Sequence, residues 1–401
     1  MNVNRVERIW MKPNDTIGEL CHLSKNLYNQ GNYLVRQSLL KNSKWMRYVK
    51  LYDELKLSSN YKELPSQTAQ QTLKLVDKNW TSYFKSHKEW KRHPEKFYSE
   101  PKLPKYLDKD GQYILKFTNQ QTYIENGKVK FPKVIDLDIT TRLSDDTDLQ
   151  EVRIVPKGVG YVMEIVYGKE VPKVKGKPKR ICGIDIGSTN LVAIGNNIGL
   201  KPIVIKAGVA KSINQYYNKE RARLDSVYAK HKIGWGISGQ KLTNKRYRKV
   251  TDCFHKTSRL VIDWCLQNKI DTIVIGHNED WKQNINLGTR TNQNFVQLPF
   301  NMLIEQIEYK GEDAGIKVII QEESHTSKCS FLDNESVKHH KKYKGKRFQR
   351  GLFRSMKGTV INADINAAYN IIKKAIPKAF KREMWDGIEG VALHPEVLHY
   401  V

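Results

Sequence analysis

Four acidic residues stand where a carboxylate is either costly or conspicuous. Asp185 closes the apolar run Ile181-Cys-Gly-Ile-Asp-Ile186. An ionised carboxylate in an apolar strand needs compensation, either from backbone amides near Gly187 or from a divalent cation. Asp364 precedes Ile365-Asn-Ala-Ala-Tyr-Asn370, where it could cap a helix start or reach a site. Glu322 and Glu323 end the strand-like run Lys317–Gln321. Successive strand residues point to opposite faces, so only one of this pair can serve a given site. Taken together, the four suit Mg²⁺ chemistry on a phosphodiester, because Mg²⁺ selects hard oxygen ligands.

These acids need a scaffold that brings together residues far apart in the chain. From about residue 181 the texture is α/β. Residues 181–186 and 191–194 are predicted strands, as are 272–275 and 317–321; residues 212–230, 244–268, 300–314 and 365–375 are predicted helices. The acids' order resembles an RNase H-like sheet, which carries one Asp on its first strand, one acid on a later strand and one Asp on a late helix. On that scheme the strand 317–321 is expected beside the first strand. The N-terminal block reads differently. Residues 4–10 form a predicted strand, and Asn14 offers an N-cap to a helix running to about Leu40. Further helices are predicted over 43–55 and after Pro65 to about 93. Residues 105–168 read as antiparallel strands, with Asn126-Gly127 a type I′ hairpin signal and a second hairpin around Pro156-Lys157-Gly158.

Composition limits the partners. In 401 residues, 69 Lys and Arg face 42 Asp and Glu, a formal net charge of +27. Such an excess suits a polyanion. No apolar run reaches the ~18 residues of a membrane span, and no signal-peptide core is visible at the N-terminus, so a cytoplasmic, nucleoid-associated protein is expected. The five scattered cysteines form no disulfide framework. Residues 169–180 hold two prolines and six basic residues and read as a linker. Two basic surfaces are expected to meet phosphates: Lys241, Lys245, Arg246, Arg248 and Lys249, and a run from Lys338 to Lys357 that includes Lys341, Lys342, Lys346, Arg347 and Arg350. Trp80, Tyr83, Phe84 and Trp90 read as core rather than as stacking platforms.

At motif level a resemblance emerges. Residues 181–194, ICGIDIGSTNLVAI, resemble the first RuvC motif of the TnpB family, and residues 361–373, INADINAAYNIIK, the third. Between them, FVQLPFNMLIEQIEYKGEDAGIKVI is similar to that family's helix–strand segment. Near the N-terminus, LPSQTAQQTLKLVDKNWTSYF is similar to that family's LP..V.QQ.L..LD..F..F helix. The resemblance implies an α+β multidomain chain: a helical recognition domain (11–104), an antiparallel β wedge or oligonucleotide-binding-like barrel (1–10 and 105–168), and an RNase H-like (RuvC) nuclease domain (181–323 and 358–376), followed by a tail (377–401). It implies an RNA-guided, Mg²⁺-dependent DNA endonuclease of a mobile element, with a guide RNA and double-stranded DNA as partners. Two Mg²⁺ ions would sit on Asp185, Glu323 and Asp364. Gln67, Gln70, Gln71 and Lys74 would read a short DNA motif beside the target, and the β module would grip the guide.

The sequence departs from the family at two places. Most relatives carry the second catalytic Glu where this chain has Gly276, with Glu279 three residues later. Some carry instead a relocated Glu, and Glu323-Ser-His-Thr-Ser-Lys328 resembles that arrangement, with Glu322 as a substitute. The zinc ribbon expected over 324–357 retains one cysteine of four, reading Cys329-Ser-Phe-Leu332 and Phe353-Arg-Ser-Met356. Tetrahedral Zn²⁺ needs four N or S ligands, so no zinc is expected and Leu332, Phe353 and Met356 are expected to form an apolar cluster instead. Three alternatives stay open: a nuclease-dead RNA-guided repressor, a guide-independent transposase, and a type V CRISPR-associated effector.

Overall fold

The computed structural model describes residues 1–174, 176–278, 297–380, 388 and 392–399. Glu279 lies outside them. The chain divides into two compact units, Asn2–Glu170 and, with Met1, Val171–Val401.

In the first unit β1 (Asn2–Met11) leads into α1 (Asp15–Asn42), whose cap is Asn14, its side chain accepting from the Ile17 N–H at 2.9 Å. Ser43 adopts a left-handed conformation and ends α1, so α2 begins only at Tyr48 and runs to Leu55. A short α3 (Ser59–Lys62) precedes α4 (Ser66–Arg92). Strands β2 (Leu115–Thr118), β6 (Leu149–Lys157) and β7 (Gly160–Glu170) join β1 in a sheet of order β1-β7-β6-β2. A smaller sheet holds β3 (Tyr123–Glu125), β4 (Lys128–Lys130) and β5 (Ile139–Thr140). Asn126 and Gly127 both have positive φ, 52° and 67°, as a type I′ turn requires.

Helices and sheet in this unit share one core. Ile17, Leu20 and Leu27 of α1 and Leu73 of α4 pack with Phe117, Val152, Ile154 and Met163 of the strands. The segments expected as separate recognition and wedge domains are therefore one body. Its four-stranded sheet is open rather than a barrel, with no pairing of β1 to β2 among the described residues.

The second unit is built on a mixed sheet of order β12-β11-β8-β9-β10-β16. Strands β8 (Ile181–Asp185), β9 (Asn190–Asn196) and β10 (Ile203–Lys206) form an antiparallel meander. Strands β11 (Thr272–Gly276) and β12 (Lys317–Gln321) add to it in parallel. Strand β11, not β12, lies beside β8. The expectation that residues 317–321 neighbour the first strand is corrected, since α7 (Phe300–Asp313) carries the chain one position further out. Long helices α5 (Gly208–Lys230) and α6 (Ile237–Gln267) connect β10 to β11. A three-stranded sheet of β13 (Lys346–Gln349), β14 (Leu352–Arg354) and β15 (Val360–Asn362) feeds directly into α8 (Ala363–Ala375). Strand β16 (Glu396–Leu398) pairs parallel with β10.

The predicted linker is anchored at its far end. The amides of Lys179 and Arg180 donate to the Asp271 carboxylate at 3.0 and 2.8 Å. Strand alternation divides the large sheet between two cores. Cys182 and Ile184 face a cluster with Phe254, Val261, Leu303 and Ile307, while Ile181 and Val274 face α8 through Ile365, Tyr369 and Ile372.

Helix α8 sits unusually low on the strands. A Cβ at Gly183 would lie 2.3 Å from the Ala368 carbonyl oxygen, a main-chain atom that cannot swing aside. Gly183→Ala is therefore expected to destabilise the fold by about 1–3 kcal/mol through overpacking, read as a lowered urea midpoint. Gly208→Ala, where a Cβ meets nothing within 4 Å, should change the midpoint little.

Candidate active site

Asp185 is the last residue of β8, at the carboxyl end where the parallel strands also terminate. It is partly buried, and burial drives its pKa well above the ordinary carboxylate range. The charges of Asp364 and then Glu323 push it the same way, and Arg347 opposes them. Carboxylates from two distant segments thus bear on Asp185 at the end of this sheet.

Asp364 lies in the first turn of α8 but does not cap it. Asn362 does, accepting from the Asp364 and Ile365 amides at 3.0 and 3.2 Å. The Asp364 carboxylate is thereby available to other groups. Asn190 Nδ2 donates to its Oδ2 at 2.7 Å, and Lys206 Nζ donates to Asn190 Oδ1 at 3.0 Å. Arg347, expected to meet nucleic-acid backbone, stands 3.5 Å from the other Asp364 oxygen.

Glu323 occupies space that a side chain at 276 would need. A Cβ built on Gly276 would lie 2.7 Å from Glu323 Oε2. Asn278 holds the segment on both sides, its Oδ1 accepting from the Glu323 amide at 3.1 Å and its Nδ2 donating to Glu323 Oε1 at 3.5 Å. Burial and then the charge of Glu322 raise the Glu323 pKa, with Lys374 opposing.

Glu322 points elsewhere. It is exposed, and it accepts from Lys374 Nζ at 2.5 Å and from the Ser324 amide and hydroxyl at 2.7 and 2.9 Å. The Lys374 hydrogen bond leads in lowering its pKa. Just past the end of β12 the two acids thus part, Glu322 to Lys374 and Ser324 and Glu323 to Asn278, and Asp185 feels Glu323 alone of the pair. Among the described residues no group of three or more His, Cys, Asp and Glu side chains is placed so that it could hold a metal ion as it stands.

The asparagines of this region carried no signal that composition could rank. Asn366 Oδ1 accepts from the Phe331 amide at 3.0 Å, and its Nδ2 donates to the Cys329 carbonyl at 2.9 Å. Asn370 donates to the carbonyls of Thr326 and Cys329, both at 2.8 Å. Their i, i+4 spacing in INADINAAYN puts both on one helix face, where they bind the segment after Glu323 to α8.

In the degenerate ribbon the Cys329 thiol lies 3.4 and 3.5 Å from the carbonyls of Ser336 and Lys338. Leu332 and Phe353 are buried, but Met356 is 65% exposed and takes no part in their cluster, a correction to the expected trio. Its place goes to Phe331, stacked on Tyr369 with centroids 4.7 Å apart.

The other expected contacts fare differently. Arg246 is structural, donating to Asn214 Oδ1 and the Gln297 carbonyl, both at 2.7 Å. Lys241, Lys245, Arg248 and Lys249 are exposed along α6, and Lys341, Lys342, Lys346 and Arg350 along the insertion. In the first unit Gln67 is engaged by Thr118 and Gln120, and Gln70 hydrogen-bonds the Tyr61 hydroxyl. Lys74 Nζ lies 5.2 Å from the Tyr48 ring centroid, and Gln71 is partly exposed. Trp80 is buried, while Tyr83, Phe84 and Trp90 are partly so.

Residues 164–282 match the OrfB_IS605 family, described as "Probable transposase", and residues 300–371 match the "Cas12f1-like, TNB domain" family. Asp185 falls in the first match, and Glu323 and Asp364 in the second. A "TnpB-like protein ORF457" of Acidianus two-tailed virus is 24% identical over 399 residues, covering 89% of this chain and 82% of the viral protein. The chain is a relative of TnpB and the type V effectors. The "CRISPR-associated endodeoxyribonuclease Cas12f2" of a Micrarchaeota archaeon is 28% identical over 232 residues, covering 54% of this chain and 40% of that protein. The solved "mini-RNA-guided endonuclease CRISPR-Cas_phi3" shares the fold at a TM-score of 0.50 and 10% identity, covering 93% of this chain and 92% of that one. Among the described residues no helix is long and apolar enough to cross a membrane.

The cap assignment is testable by itself. Asn362→Ala should cost about 1 kcal/mol of stability, the usual loss when a side-chain N-cap is removed, seen as a lowered denaturant midpoint. Asp364→Asn, which leaves the cap in place, should lower it less.

Proposed function

We propose that this TnpB and type V relative is an RNA-guided DNA endonuclease of a mobile element, cutting guide-matched DNA beside a short flanking motif. One observation carries the reading above all: the Glu323 carboxylate fills the space left open at Gly276 and acts on Asp185 together with Asp364. The second unit is then an RNase H-like, RuvC-type nuclease domain, which its strand order β12-β11-β8-β9-β10 supports.

Asp185, Glu323 and Asp364 are the residues that would hold two Mg²⁺. The donor types fit, being three carboxylates of which two press their charge on Asp185, a burden that a hard cation would relieve. Bound there, the ions would activate water and stabilise the charge that develops on a phosphodiester. The chain's own groups prepare the site. Asn190 and Lys206 orient Asp364, Asn278 orients Glu323, and the Lys374–Glu322 pair fixes the turn between β12 and the loop after it. Arg347 brings a guanidinium to the same lip, where its planar fork suits a phosphate oxygen.

The guide RNA would pair with the target strand, and the protein would read backbone shape and a short motif. Gln67, Gln70, Gln71 and Lys74 share one face of α4 and would present it to that motif, Gln67 and Gln70 being held there by Gln120 and Tyr61. The exposed lysines and arginines of α6 and the insertion would follow phosphates.

The reading is tested by a Mg²⁺ cleavage assay with co-purified RNA and a matched duplex. Asp185→Ala and Asp364→Ala should abolish cutting and leave guide and target binding in place. Glu323→Gln should cost several orders of magnitude and Glu322→Gln about tenfold or less, order-of-magnitude expectations from lost charge stabilisation. Undiminished cutting by the aspartate variants contradicts the site, and a wild type that binds but never cuts favours the repressor reading. We further propose that the insertion is held by its apolar cluster rather than by zinc. Elemental analysis of protein purified in metal-free buffer should then find no stoichiometric zinc, and one zinc per chain would refute this.

A further inference from the structure

Away from the carboxylates, helices α5 and α6 leave a cavity of about 300 Å³ between them. Residues at helical spacing line it from both sides: Ser212, Ile213, Tyr216 and Tyr217 on α5, and Leu242, Lys245, Arg246 and Lys249 on α6. Its floor is apolar, with Tyr217 buried and Ile213 packed onto the main core. The Arg246 guanidinium covers the Tyr217 ring at 5.0 Å. The acceptors it donates to, the Asn214 side-chain Oδ1 and the Gln297 main-chain carbonyl, are neutral. Tyr216, by contrast, is 54% exposed at the mouth, with Lys245 Nζ 6.0 Å from its ring centroid. Lys249 is exposed on the same rim. No Asp or Glu lines the cavity.

An apolar floor, an exposed aromatic face and an acid-free cationic rim together describe a ligand that is flat, partly apolar and anionic. An unstacked nucleotide has these properties. Bases stack on tyrosine without regard to sequence, and lysines at the rim meet the flanking phosphates. The volume is at the lower end of small-ligand pockets, sized for one base with its sugar rather than for a base pair. We propose that the α5–α6 cavity is a docking site for an unpaired nucleotide of a single strand, its base against Tyr216 and its phosphates on Lys245 and Lys249. The proposal rests on the nucleic-acid reading above, but it concerns a site separate from the carboxylates and requires no cleavage.

The test uses the full chain, freed of co-purified RNA, in EDTA. Oligonucleotides carrying 5-iodouracil are cross-linked as single-stranded DNA, single-stranded RNA and duplex DNA, and the adduct is mapped by mass spectrometry. We expect the adduct on Tyr216 with one or both single strands, which identifies the strand, and none there with duplex. Tyr216→Ala should weaken single-strand binding about five- to a hundredfold, leave duplex binding unchanged and leave the melting temperature unchanged. Tyr216→Phe should bind like the wild type. Lys249→Gln should flatten the salt dependence of single-strand binding by about 0.7 in log–log slope. Strong binding with adducts only outside the cavity, or equal losses of single-strand and duplex binding in Tyr216→Ala, overturns the pocket and leaves the nuclease reading standing. If no nucleic acid binds at all, both fall.

Discussion

The second unit depends on how closely one helix approaches one sheet. Helix α8 rests on three glycines, one from each of three adjacent strands. Gly183 lies under the Ala368 carbonyl and Ile372, Gly195 under the Tyr369 ring, and Gly276 under Ile371. Gly183 and Gly195 are direct partners across β8 and β9. A side chain at Gly183 would lift the helix, because it meets main chain and interiors packed to crystal density have nowhere to move a displaced backbone; at Gly195 and Gly276 it would meet side chains of α8 instead. Seated low, α8 delivers Asp364 to the end of β8, where Asp185 already stands. Asn362 takes over the capping duty that would otherwise have engaged Asp364.

The same floor explains how an acid can arrive from an unexpected strand. Strand β12 is one place removed from β8, so a residue at its end must reach past β11 to act on Asp185. It can do so because β11 ends in a glycine. The missing side chain at 276 is both clearance for α8 and room for the Glu323 carboxylate. Asn278, two residues on, supplies the hydrogen bonds that keep Glu323 there. On the far side of the loop, Asn366 and Asn370 bind the ribbon remnant to α8 with bonds to main-chain groups. These polar contacts sit beside a stack of Phe331 on Tyr369, in a region where three of the four positions compared with metal ligands are not cysteine.

What could be read from the sequence was local. The run ICGID announced a buried strand ending in an acid, Asn126-Gly127 announced its turn, and Asn14 announced the start of α1; each of these follows from a few neighbouring residues. What could not be read depends on residues distant in the chain. That β11 intervenes between β8 and β12 is decided by how α7 packs, not by the strands' own composition. Arg246 looked like its exposed neighbours on α6 until Asn214, Gln297 and Tyr217 were found around it. Met356 is apolar yet points to solvent, and Arg347 sits in a basic run yet turns back to Asp364. Strand alternation says only that Glu322 and Glu323 diverge, and the choice of Glu323 rests on the resemblance of Glu323-Ser-His-Thr-Ser-Lys328 to relatives with a relocated Glu. Lys374, from the far end of α8, claims one of them and leaves the other to face Asp185.

The central claim is that Glu323 does from β12 what a glutamate at position 276 would do from β11. Moving the acid back tests it most directly. Cleavage of a guide-matched duplex is measured for Glu323→Ala, for Gly276→Glu, and for the two combined, with melting temperature and guide binding recorded for each. The Ile371 terminal carbon near Gly276 is the free end of a flexible side chain and can turn aside. The account predicts that Glu323→Ala is inactive and that the double variant regains cutting to within about tenfold of the wild type, by restoring the lost charge stabilisation. A double variant that folds and binds guide but stays inactive, or a Glu323→Ala single variant that cuts normally, contradicts it.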